Sequence, residues 1–302
     1  MARRSGDGPD GLVVVDKDAG WTSHDVVAKS RGLLGTRKVG HSGTLDPDAT
    51  GVLLLGVGRV TRLLRFLTAL PKTYTCEIVF GTETSTLDAA GEIVATHAMD
   101  PTIDEVRAAA RTLTGAIEQI PPMVSAVKVD GKRLHTLARQ GIEVERAPRP
   151  VTVHRFEIEP TADPLVVRAE VECSSGTYVR TLAADLGTAL GGGAHLRDLR
   201  RTRIGSFGLD DAHALETVSP DVLLSPAAAM RDLATVIADP ATTVDVAHGK
   251  VLERSIGFEG EGPWAVLDGD GRLLAVYGAH RGTSVKPEVV IAPASGSAAA
   301  GE

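Results

Sequence analysis

Apolar and polar residues alternate along several stretches of the chain, and this pattern predicts the strands of a sheet. The clearest stretch is 165–173, where apolar residues alternate with mostly charged ones. A period of two places one set of side chains against a core and the other set in solvent. Short runs of strand-forming residues predict further strands, at 11–17, 73–80, 125–129 and 151–158.

Apolar residues that recur every three or four positions predict helices between these strands. Thr22 precedes one such stretch as a helix cap, and Gly35 follows it as a stop. Thr102 and Glu105 form a capping-box pattern at the start of another. The predicted helices cover residues 23–34, 59–70, 101–113, 132–140 and 178–190.

Strands and helices are mixed along the chain without a regular strand–helix–strand repeat. We therefore predict an α+β fold, with a mixed, mostly antiparallel sheet and flanking helices. From about residue 219 the chain becomes more acidic, and short strands are predicted at 243–247, 264–267 and 273–277. The turn-forming sequence Asp268-Gly269-Asp270-Gly271 joins the last two strands as a hairpin.

These patterns divide the chain into four parts. Residues 1–9 are expected to be flexible, residues 10–218 to form the larger domain, and residues 219–292 to form a small β-rich domain. Residues 293–302 are rich in Ala, Gly and Ser and are expected to be disordered. A chain of 302 residues is long enough for two such domains.

Cysteine content and hydropathy restrict the cellular compartment. The two cysteines, Cys76 and Cys173, lie far apart without CxxC spacing, which fits a reducing cytosol rather than a disulfide scaffold or zinc site. No apolar run approaches the roughly 18 residues of a membrane span. The first residues also lack the apolar centre of a signal peptide. We therefore predict a cytoplasmic protein with no membrane partner.

The net charge of −7 disfavours nucleic acid as a partner, but the charges are distributed unevenly. Residues 221–302 contain 11 acidic and 6 basic side chains, whereas the preceding part contains 28 acidic and 26 basic ones. Local basic clusters can contact phosphates, although they also occur on ordinary solvated surfaces. The clusters are Arg59, Arg62 and Arg65; Lys128, Lys132 and Arg133; and Arg197, Arg200, Arg201 and Arg203.

Residues 38–53 combine a histidine, two aspartates, several glycines and a proline ahead of an apolar run. Asp46 precedes Pro47, which disfavours helical backbone at Asp46. Gly43 and Gly51 permit turns that other residues resist. Such a loop can present a carboxylate to a ligand, although an aspartate beside proline and glycine is most often a plain turn residue.

The spacing within this loop excludes the common metal and phosphate motifs. Counted from Asp46, the twelfth position of a calcium loop is Val57 instead of the required glutamate. No GxxxxGK[ST] phosphate loop and no HExxH zinc motif is present. The remaining interpretation is a carboxylate that works without a metal or cofactor. An arginine such as Arg180, close to Tyr178 at a strand-to-helix junction, would keep that carboxylate ionised if the two paired.

Several further motifs occur in a fixed order around this loop. They are the stretches 16–23, 38–53, 72–74, 119–128, 139–144, 173–181 and 193–201, which include Gly40-His41-Ser42-Gly43-Thr44-Leu45-Asp46-Pro47, Lys72-Thr73-Tyr74 and Tyr178-Val179-Arg180. Over about residues 10–215, their number and order closely resemble the TruB family of tRNA pseudouridine synthases.

This resemblance implies isomerisation of the T-loop uridine at tRNA position 55 to pseudouridine, in which the glycosidic bond moves from N1 to C5 of the base. It implies no cofactor and no metal. It also implies a pseudouridine synthase-like fold for the larger domain and a PUA-like fold for the smaller one. The expected partner is the T stem-loop of tRNA, bound by a monomer with one base flipped out of the stack.

The resemblance also assigns roles to individual residues. Asp46 is implied as the nucleophile, although attack on the base, attack on the ribose and a glycal route remain open. Arg180 is implied to pair with Asp46, and Tyr74 is implied to stack on the uracil and to assist proton transfer. The other residues implied to bind substrate are His41, in the place of a flipped base, and Tyr178, Leu199 and Lys17.

Two alternative functions remain open. The basic clusters also suit a non-catalytic RNA-binding or tRNA-folding module, for which Asp46 would be dispensable. The same chemistry also suits a pseudouridine synthase that acts on another RNA, which only mapping of the modified nucleotide distinguishes.

Overall fold

The computed structural model describes residues 8–123 and 144–291, together with the strand pair Lys128–Val129 and Lys132–Arg133. The strands are β1 (Gly11–Lys17), β2 (Val39–His41), β3 (Thr50–Val57), β4 (Lys72–Phe80), β5 (Thr82–Thr84), β6 (Ile93–Thr96), β7 (Gly115–Gln119), β8 (Lys128–Val129), β9 (Lys132–Arg133), β10 (Arg149–Pro160), β11 (Val166–Cys173), β12 (Ala194–Ile204), β13 (Phe207–Gly208), β14 (His213–Ala214), β15 (Ala234–Ile237), β16 (Leu252–Glu253), β17 (Trp264–Leu267), β18 (Leu273–Ala279) and β19 (Ser284–Val290). The α-helices are α1 (Ser23–Leu33), α2 (Leu64–Ala69), α3 (Ile103–Thr112), α4 (Val179–Ala189), α5 (Pro226–Ala229) and α6 (Pro240–Ala247). Among these described residues, no helix has the length and hydrophobicity needed to cross a bilayer.

A ten-stranded sheet forms the larger part of the structure. Its strands run in the order β14-β1-β3-β12-β4-β11-β10-β7, while β2 pairs with β3 and β13 pairs with β12. Within the described part of this sheet, the pairs β1–β14 and β3–β12 are parallel and the other pairs are antiparallel. The predicted α+β fold with a mixed, mostly antiparallel sheet is therefore confirmed.

Helices α3 and α4 pack against the half of the sheet that contains β4, β10, β11 and β12. The alternation predicted for residues 165–173 is present in β11, where Val167, Ala169 and Val171 are buried. They share one apolar cluster with Leu182 of α4. Full burial of a leucine side chain stabilises a fold by about 2 kcal/mol. The many buried side chains on this face therefore stabilise the sheet and fix the positions of the loops that leave it.

Strands β1 and β3 are buried on both faces. In β1, Val14 faces a core shared with the C-terminal part of the chain, whereas Val13 faces a separate core beneath α1. Leu54 and Leu53 of β3 divide between the two cores in the same way. Both strands are therefore continuous apolar runs rather than alternating ones.

The C-terminal part contains a second sheet of five strands, in the order β15-β17-β18-β19-β16. Two of the three strands predicted here are present, and β17 and β18 pair in antiparallel register. The strand predicted for 243–247 is wrong, because these residues belong to helix α6. Asp239 caps this helix by accepting a hydrogen bond from the Thr242 N–H, and Pro240 occupies its first turn. These helix-start signals outweigh the β-branched residues that suggested a strand.

Two predicted helices also differ from the structure. The helix predicted for 59–70 begins as a 3₁₀ helix, Gly58–Leu63, and becomes α-helical only in α2. The helix predicted for 132–140 is wrong at its start, because Lys132–Arg133 forms β9 and pairs with β8. Its remainder lies outside the described residues, as do residues 1–7 and 292–302 of the two expected flexible ends.

The arginines of the first basic cluster join the two sheets. Arg59 and Arg62 donate through Nη1 to the backbone carbonyls of Ile291 and Val290, each at 2.8 Å. Arg65 adds an ion pair of 2.8 Å to a glutamate of β19. The sequence left both phosphate contact and a solvated surface open for this cluster, whereas in the structure all three side chains make contacts within the protein.

Candidate active site

The loop that contains Asp46 runs between β2 and β3 and is held at several points. The Ser42 N–H donates to the Leu54 carbonyl at 3.0 Å. The Leu45 N–H donates to the Ser23 Oγ at 2.9 Å, and this hydroxyl donates back to the Leu45 carbonyl at 3.1 Å. The loop is thus fixed both to the strand that follows it and to the start of α1.

Lys17 holds the segment immediately after Asp46. Its fully buried ammonium donates to the carbonyls of Asp18, Trp21 and Pro47 at 2.9, 2.7 and 2.9 Å. Burial lowers the pKa of Lys17, and the carboxylates of the neighbouring aspartates oppose this effect. Because Lys17 ends β1, the position of the loop is tied to the central sheet.

Two glycines allow the loop to enter and leave this position. Gly43 and Gly51 have positive φ angles of 91° and 99°, a backbone conformation that side-chained residues resist. A Cβ atom on Gly51 would lie 2.1 Å from the backbone oxygen of Arg201 in the neighbouring strand β12. At position 51 the close approach of β3 and β12 therefore requires glycine as well.

Asp46 forms an ion pair with Arg180 of α4. The distance from Arg180 Nη2 to Asp46 Oδ2 is 3.2 Å, and Arg180 Nη1 lies 3.1 Å from Oδ2 of Asp88. Arg180 Nη1 also donates to the Thr86 carbonyl at 3.2 Å. The arginine side chain is only 6% exposed, whereas Asp46 is 44% exposed and Asp88 23%. A buried guanidinium thus orients a carboxylate that still faces solvent.

The surroundings of Asp46 raise the pKa of its carboxyl. Burial is the largest cause, and the charge of Arg180 is the largest influence in the opposite direction. Lys17 lowers this pKa as well, whereas Asp88 and Asp48 raise it. Arg180 therefore offsets part of the desolvation, and the pKa of Asp46 stays above that of an ordinary aspartic acid.

A cleft of about 260 Å³ opens in front of Asp46. Tyr74, Tyr178 and Leu199 line it together with Asp46 and Arg180. Its volume lies just below the roughly 300–1,000 Å³ typical of pockets for drug-sized ligands, so the cleft suits one base or nucleoside. Within the described part of the chain, no three His, Cys, Asp or Glu side chains are grouped as metal ligands.

A second cavity of about 450 Å³ adjoins the same residues. Asp46, Arg180 and Leu199 line both cavities and so form the partition between them. Asp88 and Asp48 line only the second one. The ion pair between Asp46 and Arg180 therefore has open space beside it as well as in front of it.

Tyr74 lies beside two buried cations, Arg201 and Lys72. The pairing of β4 with β12 places Tyr74 opposite Arg201. Burial raises the pKa of the Tyr74 phenol, while the charge of Arg201 and a hydrogen bond from it act in the opposite direction. Burial, together with the charge of Arg201, lowers the pKa of Lys72 to about 8.

Gln119 fixes the backbone of Tyr178. Its side-chain oxygen accepts a hydrogen bond from the Tyr178 N–H at 2.9 Å, and its side-chain nitrogen donates to the Tyr178 carbonyl at 3.3 Å. Tyr178 is the residue that precedes the first turn of α4. The same two hydrogen bonds therefore also fix the start of the helix that carries Arg180.

Two residues with left-handed backbone flank the site. Leu87, with a φ of 64°, precedes Asp88, and Asp198, with a φ of 54°, precedes Leu199. Such a conformation costs about 1 kcal/mol or more in a residue other than glycine, and it is often found at functional sites. Here the two turns set the directions of an acidic partner of Arg180 and of an apolar wall of the cleft.

His41 lies outside the lining of the cleft. Its half-buried ring contacts the ring of His24 edge-on, with centroids 5.3 Å apart and an interplanar angle of 78°. Burial lowers the pKa of His41, and the charges of His24 and Arg201 lower it further. A hydrogen bond to the Gly43 backbone raises this pKa but does not cancel the other causes. The Nδ1 atom is buried without a hydrogen-bond partner. His41 is thus held as a neutral ring beside the start of the Asp46 loop.

The structure brings most of the predicted site residues together. The cleft gathers five of them, Asp46, Tyr74, Tyr178, Arg180 and Leu199, with Lys17 behind the loop and His41 at its start. Sequence analysis missed four further contributors, which are Asp88, Gln119, Lys72 and Arg201. Lys72 and Gln119 lie within motifs quoted from the sequence, but nothing there separated them from their neighbours. Arg201 ends the motif at 193–201 and belongs to a basic cluster that the sequence left open as a phosphate contact or a solvated surface, and Asp88 lies in no motif.

Comparisons with known proteins identify the family of the chain. Residues 31–179 match the TruB family pseudouridylate synthase N-terminal domain, and residues 180–239 match the tRNA pseudouridylate synthase B C-terminal domain. A tRNA pseudouridine synthase B of Rhodococcus jostii (strain RHA1) is 51% identical over 298 residues, covering 94% of this chain and 95% of the relative. The chain belongs to the TruB family. The protein of the same name from Arthrobacter sp. (strain FB24) is 45% identical over 299 residues, covering 94% and 97%.

Solved structures show the same TruB-like fold. The structure described as a Cbf5-Nop10-Gar1 complex has a TM-score of 0.75 and 26% sequence identity, covering 94% of this chain and 85% of that chain. The archaeal box H/ACA sRNP Nop10-Cbf5 complex has a TM-score of 0.70 and 25% identity, covering 94% and 87%. The predicted pseudouridine synthase-like fold with a β-rich C-terminal part is confirmed.

Proposed function

We propose that this TruB-family chain converts the T-loop uridine of tRNA, at position 55, to pseudouridine, with Asp46 as the nucleophile. The observation that carries the proposal is the ion pair between Asp46 and Arg180 at the wall of a cleft sized for one nucleoside. The names of the relatives, tRNA pseudouridine synthase B, support tRNA as the substrate.

The reaction breaks the bond between N1 of uracil and C1′ of the ribose, and forms a bond between C5 and C1′. The C5 proton is released and N1 gains a proton, so no electrons enter or leave the substrate. A carboxylate can divide this exchange into easier steps by forming a covalent intermediate. Arg180 serves this role by orienting Asp46 and by opposing the burial that raises the pKa of its carboxyl.

Tyr74, Tyr178 and Leu199 supply the walls against which an extruded uracil would pack. Aromatic side chains stack on every base with little regard to sequence, and such stacking contributes about 1–3 kcal/mol per base. Tyr74 is also placed to move a proton, because the charge of Arg201, opposite it in β12, opposes the burial that raises the pKa of its phenol. The proposal therefore gives Tyr74 two roles and gives Tyr178 and Leu199 one role each.

His41 and Lys17 have supporting roles in this proposal. The uridine must leave its stack to reach the cleft, and the gap that it leaves must be filled. His41 is suited to fill it, because its ring is kept neutral and lies at the start of the Asp46 loop. Lys17 positions the other side of the loop through its hydrogen bond to the Pro47 carbonyl.

The proposed partner is the T stem-loop of tRNA, and the proposed working state is a monomer in the cytoplasm. The larger domain is proposed to span residues 10–218 and a small PUA-like domain residues 219–292, consistent with the two separate sheets. Several arginines expected at the RNA are paired within the protein, such as Arg197 with Glu77 and Arg200 with Asp16. Recognition would therefore depend more on loop shape than on a broad basic surface.

The test is incubation of the protein with tRNA that carries tritium at uridine C5. Wild-type protein is expected to release tritium, and Asp46→Asn is expected to release none while it binds the RNA with unchanged affinity. Asp48→Asn, on the same loop, serves as the matched control and should retain activity. Full activity of Asp46→Asn contradicts the proposal, and modification at a position other than 55 indicates another RNA site.

A further inference from the structure

Lys72 and Arg201 form a buried cationic floor beneath the cleft. Both line the cleft, with exposed fractions of only 5% for Lys72 and 1% for Arg201. The pairing of the central strands explains their proximity, since Tyr74 of β4 lies opposite Arg201 of β12 and Lys72 shares a strand face with Tyr74. The cleft therefore has two positive charges at its base and the Asp46 carboxylate at its wall.

Neither cation forms an ion pair with a carboxylate of the residues that the structure describes. Among the described residues, no carboxylate lies within ion-pair distance of Lys72 or Arg201, although eleven other basic side chains there form such pairs. Lys72 donates to the backbone carbonyls of Thr68 and Leu70, at 2.5 and 2.6 Å. Carbonyl dipoles satisfy hydrogen bonds but carry no net charge to balance the ammonium.

Arg201 is held in a similar way. Its guanidinium donates to the carbonyls of Val52, Thr44 and Gly43, at 2.7, 3.5 and 3.3 Å. The two cations also repel each other, and this repulsion adds to burial in lowering the pKa of Lys72. Buried charges without a counter-ion are costly, and folded proteins usually pair them. A pair of them that faces a cleft indicates that a negative charge arises in the cleft.

The proposed reaction generates such a charge. When the bond between N1 and C1′ breaks, its electron pair remains on the uracil, and the negative charge spreads over N1, O2 and O4. The charge disappears again when C5 bonds to C1′, because that step consumes an electron pair of the base. A group that stabilises only this transient anion accelerates the reaction without tightening the binding of the substrate.

We propose that Lys72 and Arg201 stabilise the uracil anion that forms when the base is detached from the ribose. This inference rests on the proposed isomerase function and extends it to two residues without an assigned role. Asp46 then acts on one side of the broken bond and the cationic floor acts on the leaving base. The floor remains fixed during the reaction, because backbone carbonyls of α2, β3 and the Asp46 loop hold both side chains.

The test compares leaving groups. T stem-loop RNAs that contain either uridine or 5-fluorouridine at the target position are mixed with excess enzyme and digested to nucleosides, and loss of the starting nucleoside is followed by liquid chromatography, because pseudouridine has the same mass as uridine. Fluorine withdraws electrons and stabilises the uracil anion without help from the protein. Lys72→Met should slow the reaction of uridine about 100-fold, as expected for loss of one preorganised electrostatic group. The reaction of 5-fluorouridine should slow much less.

Three controls make the result decisive. Lys72→Arg keeps the charge and should recover most of the uridine rate, and Arg201→Lys should be milder than Arg201→Met. Lys286→Met, at an exposed position of the C-terminal strand β19, should leave both rates unchanged. RNA affinity, measured with each variant, should stay within about threefold of wild type, a difference of under 1 kcal/mol.

Equal slowing of both substrates by Lys72→Met and Arg201→Met overturns the inference, because a purely structural defect does not distinguish leaving groups. Circular dichroism detects a Met variant that does not fold. In that case Lys72→Arg and Arg201→Lys are compared with wild type through the same ratio of the uridine rate to the 5-fluorouridine rate. If the wild-type protein converts neither RNA, the proposed function itself fails, which separates that outcome from failure of the cationic floor.

Discussion

Arg180 binds Asp46 through Nη2 at 3.2 Å and Asp88 through Nη1 at 3.1 Å, so one buried guanidinium joins two carboxylates from distant loops. The two contacts have different consequences for Asp46. The guanidinium lowers the pKa of the Asp46 carboxyl, whereas the charge of Asp88 raises it. Asp88 thus fixes the arginine that orients Asp46 and at the same time weakens its electrostatic effect.

Arg180→Met should move the acidic limb of the pH–rate profile upward. Asp46 must be ionised to act as a nucleophile, so activity falls when the pH drops below the pKa of its carboxyl. That pKa is already raised by burial, and removal of the guanidinium takes away the main influence that lowers it. Single-turnover rates between pH 4 and 8, a window set by ordinary carboxyl pKa values of about 4, measure the shift. An unchanged acidic limb contradicts this role of Arg180.

Asp88→Asn should shift the acidic limb in the opposite direction. The substitution removes a negative charge that raises the pKa of Asp46, but it keeps a side chain of similar size. Arg180 is also held less firmly, since a charge-assisted hydrogen bond is about twice as strong as a neutral one. The expected result is a lower maximal rate with a limb at lower pH, measured on the same profile. A limb that moves upward shows that the orienting effect of Asp88 outweighs its repulsion.

Gly51→Ala should prevent the strands β3 and β12 from approaching. The added Cβ would lie 2.1 Å from the Arg201 oxygen, and the φ of 99° is unfavourable for alanine. A loss of about 4 kcal/mol or more in the free energy of unfolding is expected from such overlap combined with backbone strain. Gly20→Ala is the matched control, because its φ is 83° but nothing lies near its Cβ. Urea denaturation of the two variants should show a much smaller loss for Gly20→Ala.

Lys72 should give the pH–rate profile a basic limb. Burial and the charge of Arg201 lower the pKa of Lys72 to about 8, whereas Cys173 acts in the opposite direction. The positive charge of Lys72 is therefore lost as the pH rises through 8. The rate of uridine conversion should fall over that range in wild type, whereas Lys72→Arg should stay active to higher pH. A basic limb that persists unchanged in Lys72→Arg assigns the titration to another group.

The same pKa has the opposite effect on stability. In the folded protein Lys72 releases its proton near pH 8, whereas in the unfolded chain it does so near the ordinary lysine value of 10.5. Between these two values the unfolded state binds more protons, so the contribution of Lys72 to stability rises with pH. Urea denaturation at pH 7 and pH 9, compared between wild type and Lys72→Met, measures this difference. An equal pH dependence in both proteins contradicts it.

Local patterns were sufficient to predict four of the ten strands of the large sheet, β1, β4, β10 and β11, and to single out the Asp46 loop. The alternation in β11 and the capping box at Thr102 act over a few residues, so they are visible in the sequence. Residues 243–247 show the limit of composition, because the cap at Asp239 lies upstream of the β-branched run that suggested a strand. A cap that satisfies free N–H groups can outweigh the preference of the residues behind it.

Contacts between distant positions could not be predicted in this way. Asp88 and Arg180 are separated by 92 residues, and only the folded sheet brings them together. Arg201 belonged to a cluster of arginines open to either phosphate contact or solvent, because the bulged pairing of β12 that turns it inward leaves no periodic signal. The resemblance to a family located Tyr74 and Arg180, whereas the two buried cations become notable only when their surroundings are known.

The two sheets share a hydrophobic core, and this core bears on whether the chain can be truncated to its larger sheet. Leu12 and Leu54 of the central sheet pack in one cluster with Val276 and Val289 of the C-terminal sheet. Removal of the second sheet would leave this surface bare, and extended apolar surfaces of that kind promote aggregation. The C-terminal sheet is therefore an integral cover of the larger sheet rather than a detachable module.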